Sequence, residues 1–206
     1  MGLLTKGFVE LLQFLHSFTG NYGLAIIILT TLVQVALYPL TASQMKVAAD
    51  LKRINPKLKE IQEKYREKPE ELQRRLMELY REHKVNPFGG CLPLLLQLPI
   101  IWALFSTLNH FPYRGTPAFL WVPTLAKPDP WILPVLSGAT TYLQMAMGPV
   151  DPSQRAMLVF MPLFMVWVTR SFPAGLALYW VVGNVVRIIQ QWFMNRQLER
   201  AERGVQ

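Results

Sequence analysis

Five polar side chains stand inside long apolar stretches of the sequence, where hydrogen-bonding and charged groups are costly to bury. Gln34 lies in the middle of "TLVQVALYPL", within a run from Asn21 to Met45 that has no Asp, Glu, Lys or Arg. The others are Gln97, Gln144, Asn184 and Arg187. A lone amide in an apolar helix can simply hydrogen-bond to a neighbouring helix. A guanidinium there needs water or a partner, so Arg187 indicates a water-filled cavity that could bind a polar or acidic group.

The same stretches lack the residues that catalysis would need. They contain no Asp, Glu or His, so Arg187 has no carboxylate to pair with and no nucleophile–base pair can form. Cys91 is the only cysteine, and the three histidines are far apart in sequence, so neither a disulfide nor a metal site is predicted. We therefore predict a protein that is not an enzyme and uses no cofactor. Proton-coupled transport, which depends on ionisable relays, is also disfavoured.

The elements that carry these residues have the length of membrane-spanning helices. The chain is 51% hydrophobic and only 17% charged, and about 20 apolar residues suffice for one helix to cross a bilayer. Stretches with little or no charge predict five spans, near 21–41, 88–108, 131–148, 155–171 and 174–194. The expected fold is an all-α integral membrane protein with five transmembrane helices.

Basic residues predict the orientation. The connection between spans 1 and 2 (residues 41–87) holds 12 Lys and Arg, whereas the loop 109–130 holds two. Basic loops remain in the cytoplasm, which predicts an external N-terminus and a cytoplasmic C-terminus, with a short basic tail at 195–206. The net charge of +8 is then a topology signal, and nucleic acid is not implied as a partner.

In this orientation the polar residues fall at one depth. Gln34 follows Tyr22 by 12 residues, and Arg187 follows Ala174 by 13. Gln144 is placed similarly in span 3. At about 1.5 Å per residue these side chains lie roughly 18–20 Å below the outer surface, which predicts a polar layer in the cytoplasmic half of the bilayer.

Two amphipathic regions flank the first span. Residues 1–20 place Lys6, Glu10 and Gln13 on one helical face, which predicts a helix lying in the membrane interface; an ordinary packing helix is the alternative. Residues 43–86 predict a cytoplasmic helical hairpin. We expect its first helix to begin at Asn55 and Pro56, and its second at Pro69. This hairpin is either a docking arm or a solvated spacer, and it could also touch lipid headgroups.

Four segments carry a resemblance to a known family. They are "NYGLAIIILTTLVQVALYPLTASQMK", "NPFGGCLPLLLQLPIIWALF", "WILPVLSGATTYLQ" and "FPAGLALYWVVGNVVRIIQQWFMNR". They resemble, in order and over nearly the whole chain, the YidC/Oxa/Alb family of membrane protein insertases.

The resemblance implies a hydrophilic groove, open to the cytoplasm and to lipid, in a bacterial plasma-membrane protein. It implies insertion and folding of nascent membrane proteins without nucleotide hydrolysis, by a monomer acting alone or with the Sec translocon. The ribosome is implied as a further partner, although the tail 195–206 has a net charge of only +1, which predicts weak binding through it. Substrates are expected to leave along spans 3 and 5.

One position departs from the family pattern. The family places its groove arginine in span 1, where this chain has Gln34, while Arg187 stands at nearly the same depth in span 5. We predict that the charge has moved to span 5 and still faces the groove. By resemblance Gln144 and Trp180 also line the groove, and Tyr179 and Trp180 lie near the substrate path. Aromatic packing between spans is the alternative for these two residues.

Two other functions remain to be weighed. A small polytopic transporter or channel would be expected to show an internal repeat and ionisable relays at mid-membrane. The sequence shows no repeat, and Arg187 is the one charged residue at that depth. A chaperone that folds membrane proteins without inserting them would use the same groove, so the sequence does not separate it from an insertase.

Overall fold

Eight α-helices contain most of the residues that the computed structural model describes, namely 2–83, 92–109, 111, 113, 117–147 and 155–203. They are α1 (Leu3–Thr19), α2 (Tyr22–Ala36), α3 (Tyr38–Lys64), α4 (Pro69–Glu82), α5 (Leu92–Asn109), α6 (Ile132–Met147), α7 (Arg155–Thr169) and α8 (Ala174–Arg203). Within these ranges the only β pairing is an isolated bridge between Phe119 and Val122.

Helix length and hydropathy do not by themselves define the membrane crossings. Taken singly, none of the helices in the described ranges is both long and apolar enough to cross a bilayer. Only α2 joined to the first part of α3, Tyr38–Leu51, meets both conditions, across a bend of 56°. Helices α5, α6 and α7 begin and end within a few residues of three predicted spans, and α8 continues beyond residue 194.

The predicted first span is divided at Leu37. Asn21 caps α2 by accepting hydrogen bonds from the N–H groups of Gly23 and Leu24. The helix ends at Ala36 because Pro39, two residues beyond Leu37, has no N–H and its ring would clash with a carbonyl of the preceding turn. Proline fits the start of a helix, where N–H groups lack partners, and α3 accordingly begins beside Pro39.

The hairpin is formed by the second half of α3 and by α4. Ile54 and Leu79 are buried at its centre. The prediction for Pro69 is confirmed, since it is the first residue of α4. The prediction that a helix begins at Asn55 and Pro56 is wrong, because α3 runs through Pro56 without a break. The apolar stripe of α3 continues across Pro56 and packs on α4, and such packing outweighs the lost hydrogen bond.

The remaining helices pack around α8 and α6. Helix α6 packs against α7 and α8, α8 also contacts α2 and α5, and α1 contacts α2 and α5. Gly138 is the point of close approach between α6 and α7. A Cβ at Gly138 would overlap the side chain of Val166 and lie 3.0 Å from the carbonyl oxygen of Pro162.

Helix α1 has three faces. Thr5 and Leu12 are buried against the bundle, as the packing alternative required. A second apolar strip is exposed, formed by Leu4, Leu11, Phe14 and Phe18. Lys6, Glu10 and Gln13 occupy the remaining, polar face. This division suits a helix that contacts protein, lipid and water at once.

Asp129 holds the connection before α6 in place. Its carboxylate accepts hydrogen bonds from the main-chain N–H groups of Trp131, Ile132 and Leu133 and from the indole N–H of Trp121. Its side chain therefore caps the free N–H groups at the start of α6. Burial of the carboxyl acts to raise its pKa, but the four N–H groups outweigh burial and hold the pKa of Asp129 below its usual value.

Changing Asp129 should therefore destabilise the start of α6. We expect Asp129→Ala to cost about 1–2 kcal/mol, and Asp129→Asn to cost less, because Asn keeps the Oδ1 acceptor and loses the bonds to Oδ2. A lowered pKa means that the charged carboxylate stabilises the fold above the ordinary aspartate value of about 4, and that this stability is lost as the pH falls through the lower, folded value. Thermal unfolding in detergent between pH 7 and 3 measures both effects. Equal pH dependence in the wild type and Asp129→Asn would contradict this role.

Candidate functional site

Gln34 and Arg187 come together where α2 crosses α8. Gly183 allows the approach, since a Cβ added there would lie 3.1 Å from Nε2 of Gln34 and 3.7 Å from Nη2 of Arg187. Gln34 is only 2% exposed, and Arg187 is half-buried. Farther along α8, Gln190 donates its side-chain amide to the main-chain carbonyl of Gln34 at 3.2 Å. We call Gln34, Gly183, Arg187 and Gln190 the α2–α8 cluster.

Several polar atoms of the α2–α8 cluster have no hydrogen-bond partner among the described residues. They are Nε2 of Gln34, Nε of Arg187 and Oε1 of Gln190. A buried polar group left unpaired costs about 1–3 kcal/mol. Two donors and one acceptor therefore lie at a net positive site. An acidic guest could accept from the two donors, and a guest with an N–H or O–H could also donate to Oε1 of Gln190.

Asn184 and Trp180 face α6 instead. The amide of Asn184 donates to the hydroxyls of Thr141 at 2.9 Å and Thr140 at 3.2 Å. The indole N–H of Trp180 donates to the same Thr141 hydroxyl at 3.3 Å. These contacts fit hydrogen bonding between helices, which was the simpler interpretation of such residues. They tie α6 to α8.

The other predicted site residues are more dispersed. Gln144 is half-buried on α6, one turn beyond Thr141. Tyr179 is buried in α8 and borders an apolar cavity. Gln97 belongs to α5, but its side chain lies outside the described part of the chain.

An apolar cavity of about 780 Å³ lies between α5, α7 and α8. Its walls include Trp102 and Phe105 of α5, Met165 of α7, and Tyr179 and Trp180 of α8. Trp180 therefore borders the cavity with one part of its ring and bonds to α6 with its N–H. The cavity is apolar and offers almost no hydrogen-bonding groups.

Sequence reasoning missed four residues of this site, although helical spacing could have found them. Gly183 and Gln190 lie four residues before and three after Arg187, and Thr140 and Thr141 lie four and three before Gln144. Residues three or four apart share a helix face. Within the ranges that the structure describes, no group of His, Cys, Asp and Glu could hold a metal ion.

Comparison with known proteins identifies the family. The family model described as "60Kd inner membrane protein" matches residues 14–201. The membrane protein insertase YidC of Caldanaerobacter subterraneus subsp. tengcongensis is 44% identical over 189 residues, which are 91% of this chain and 92% of that protein. The YidC of Geobacter sulfurreducens is 42% identical over 204 residues.

The coverage and the fold agree with this. The alignment with the Geobacter sulfurreducens relative includes 97% of this chain, and the chain spans 38% of the length of that relative. A crystal structure of an active YidC insertase, with its first transmembrane domain resolved, is 30% identical. It superposes with a TM-score of 0.73, covering 90% of this chain and 44% of that one. The predicted resemblance and the all-helical fold are confirmed, and the chain belongs to the YidC/Oxa family of membrane protein insertases.

Proposed function

We propose that this chain inserts and folds nascent membrane proteins, using the α2–α8 cluster to hold a polar segment transiently. The observation that carries the proposal is the set of unpartnered buried groups around Gly183, contributed by Gln34, Arg187 and Gln190. The predicted spans contain no Asp or Glu, so an acidic substrate tail would supply the missing counter-charge. Binding and release of such a tail need neither a nucleophile nor a nucleotide.

The proposed topology has five spans, an external N-terminus and a cytoplasmic C-terminus. The 12 basic residues of 41–87 support a cytoplasmic hairpin. Two arginine–tryptophan stacks support the membrane boundaries, with Arg170 over Trp131 at 4.3 Å and Arg196 over Trp192 at 3.7 Å. The start of α8 and Trp192 are separated by about 27 Å of helix, close to the ~30 Å hydrocarbon core.

The apolar part of the substrate would leave through the cavity between α5, α7 and α8. This assigns release to spans 2, 4 and 5, rather than to spans 3 and 5 as the resemblance suggested. Tyr179 and Trp180 border that cavity, which supports their proposed place on the substrate path. Transfer into lipid is driven by burial of the apolar segment itself.

The remaining partners follow the family resemblance. We assign the hairpin of α3 and α4 a docking role, because it keeps its own small core around Ile54 and Leu79. The Sec translocon, the ribosome and membrane lipids are the proposed partners of a functional monomer. Nucleic acid is not among its direct partners.

An insertion assay in proteoliposomes tests the proposal. Purified chain is reconstituted without any other protein, and a single-span substrate with a short acidic tail is added. We expect the tail to become protected from external protease without added nucleotide, well above the level in empty liposomes. Liposomes carrying an unrelated helical membrane protein control for lipid perturbation. Protection equal to that control would rule out autonomous insertase activity.

A further inference from the structure

Two tryptophans and an arginine form one exposed surface where α6 and α8 begin. The indole N–H of Trp121 donates to Asp129 at 2.9 Å, and Asp129 in turn accepts from the main chain of Trp131. Trp131 stacks beneath the guanidinium of Arg170. Trp121 and Trp131 are 45% and 61% exposed, and Arg170 is exposed as well. We call Trp121, Trp131 and Arg170 the Trp–Arg patch.

Arg170 is available to an external anion. The ion pairs found among the described residues all lie in the hairpin and do not involve it. The nearby carboxylate of Asp129 is already occupied by four N–H groups. A guanidinium stacked on a ring keeps its N–H donors in its own plane, directed outward. That geometry matches a phosphate, which Arg can bind through two parallel hydrogen bonds.

A second cation and an apolar tip adjoin the Trp–Arg patch. The carbonyl of Lys127 accepts from the N–H of Ala174 at 2.9 Å, so Lys127 stands beside the start of α8. Leu120, next to Trp121, has a φ of 51° and is 75% exposed. A leucine in the left-handed region is strained, and this one also holds a large apolar side chain in the open. Immersion in lipid would bury that surface.

We propose that the Trp–Arg patch binds the phosphate of an anionic phospholipid in the leaflet at this end of the bundle. The inference rests on the proposed placement of this end at a membrane surface. Tryptophan prefers the headgroup level of a bilayer, and Arg170 and Lys127 complement a negative headgroup. The patch also continues into the exposed apolar surface formed by Ile132, Val135 and Trp167. That continuity favours lipid, rather than a water-soluble protein, as the occupant.

Native mass spectrometry of the purified full chain in detergent tests this proposal. It compares phosphatidylglycerol with phosphatidylcholine of the same acyl chains. We expect the wild type to retain phosphatidylglycerol about tenfold more tightly. Both lipids offer a phosphate to Arg170, but the choline ammonium of phosphatidylcholine neutralises its headgroup and is repelled by Arg170 and Lys127. Arg170→Gln should remove most of that preference. Arg170→Lys should also weaken it severalfold, because lysine keeps the charge but loses the planar fork. Arg66→Lys, on the exposed hairpin, is the matched control and should behave as the wild type.

The outcomes that overturn the proposal are distinct from failure of the insertase function, since lipid binding is measured without substrate. Equal retention of the two lipids by the wild type would overturn it. So would wild-type retention of phosphatidylglycerol by both Arg170 variants. If those variants bind lipid normally but insert poorly in proteoliposomes, the patch serves a protein partner instead.

Discussion

Replacing Arg187 with alanine should lower the insertion of an acidic-tailed substrate at least tenfold. Hydrogen bonds to a charged group contribute about 1.5–3 kcal/mol, and each 1.4 kcal/mol is about a factor of ten. Arg187 is the cation of the α2–α8 cluster, and the predicted spans contain no carboxylate that competes with the substrate for it. A substrate with a neutral tail should be affected much less. Protease protection in proteoliposomes measures both substrates in parallel.

A second-site change separates the charge from its position. Gln34 and Arg187 approach the same point beside Gly183 within 4 Å. Gln34→Arg should therefore restore insertion in the Arg187→Ala background. Arg196→Ala, which removes an arginine stacked on Trp192 in the same helix, is the matched control and should insert normally. Normal insertion by Arg187→Ala would mean that polar groups suffice without a cation.

Replacing Gly138 with leucine should separate α7 from α6. Even a Cβ at this position would overlap Val166 and press on the carbonyl of Pro162, and a main-chain oxygen within a helix has little room to move. Overpacking of this kind typically costs about 1–3 kcal/mol, and occasionally more. We expect a loss near the upper end, visible as a lower unfolding temperature in detergent.

The neighbouring residue offers a matched control for Gly138. Ala139 lies on the exposed side of α6, so Ala139→Leu adds a similar volume without meeting α7. It should unfold at nearly the wild-type temperature. Because α7 also forms one wall of the apolar cavity, Gly138→Leu should impair insertion too. Equal unfolding temperatures for the two variants would show that α6 and α7 can adjust to the added side chain.

Local signals predicted much of the fold. Stretches with little or no charge located the helices, and Pro69 with its acidic first turn marked the start of α4. The same reasoning failed at Pro56, because local preference disfavours proline inside a helix whereas packing across the hairpin favours continuity there. Phe119 was not singled out for packing, yet a Cβ at Gly23 would overlap its ring. Such contacts join residues that are distant in sequence, so local composition and periodicity do not predict them.

The candidate site was predictable in its residue types but not in its pairings. Counting residues along each predicted span placed Gln34 and Arg187 at the same depth, and the structure places them next to each other beside Gly183. Depth alone does not fix rotation about the helix axis, so it could not assign Asn184 to α6 and Gln190 to α2. The rotation of each helix is set by close contacts such as the one at Gly183. The sequence indicates such a contact only through a glycine, which leaves room for the neighbouring helix.

The unbroken course of α3 has a mechanical consequence. Helix α3 starts just after the bend at Leu37 and continues from Tyr38 to Lys64 without a break, over 27 residues and about 40 Å. A pivot of about 10° at Leu37 would swing the far end by roughly 7 Å, while Leu37 itself would barely shift. Gln34 lies only three residues before that pivot. A force applied at the hairpin tip would therefore rotate α3 about Leu37, which lies one helical turn from Gln34 of the α2–α8 cluster.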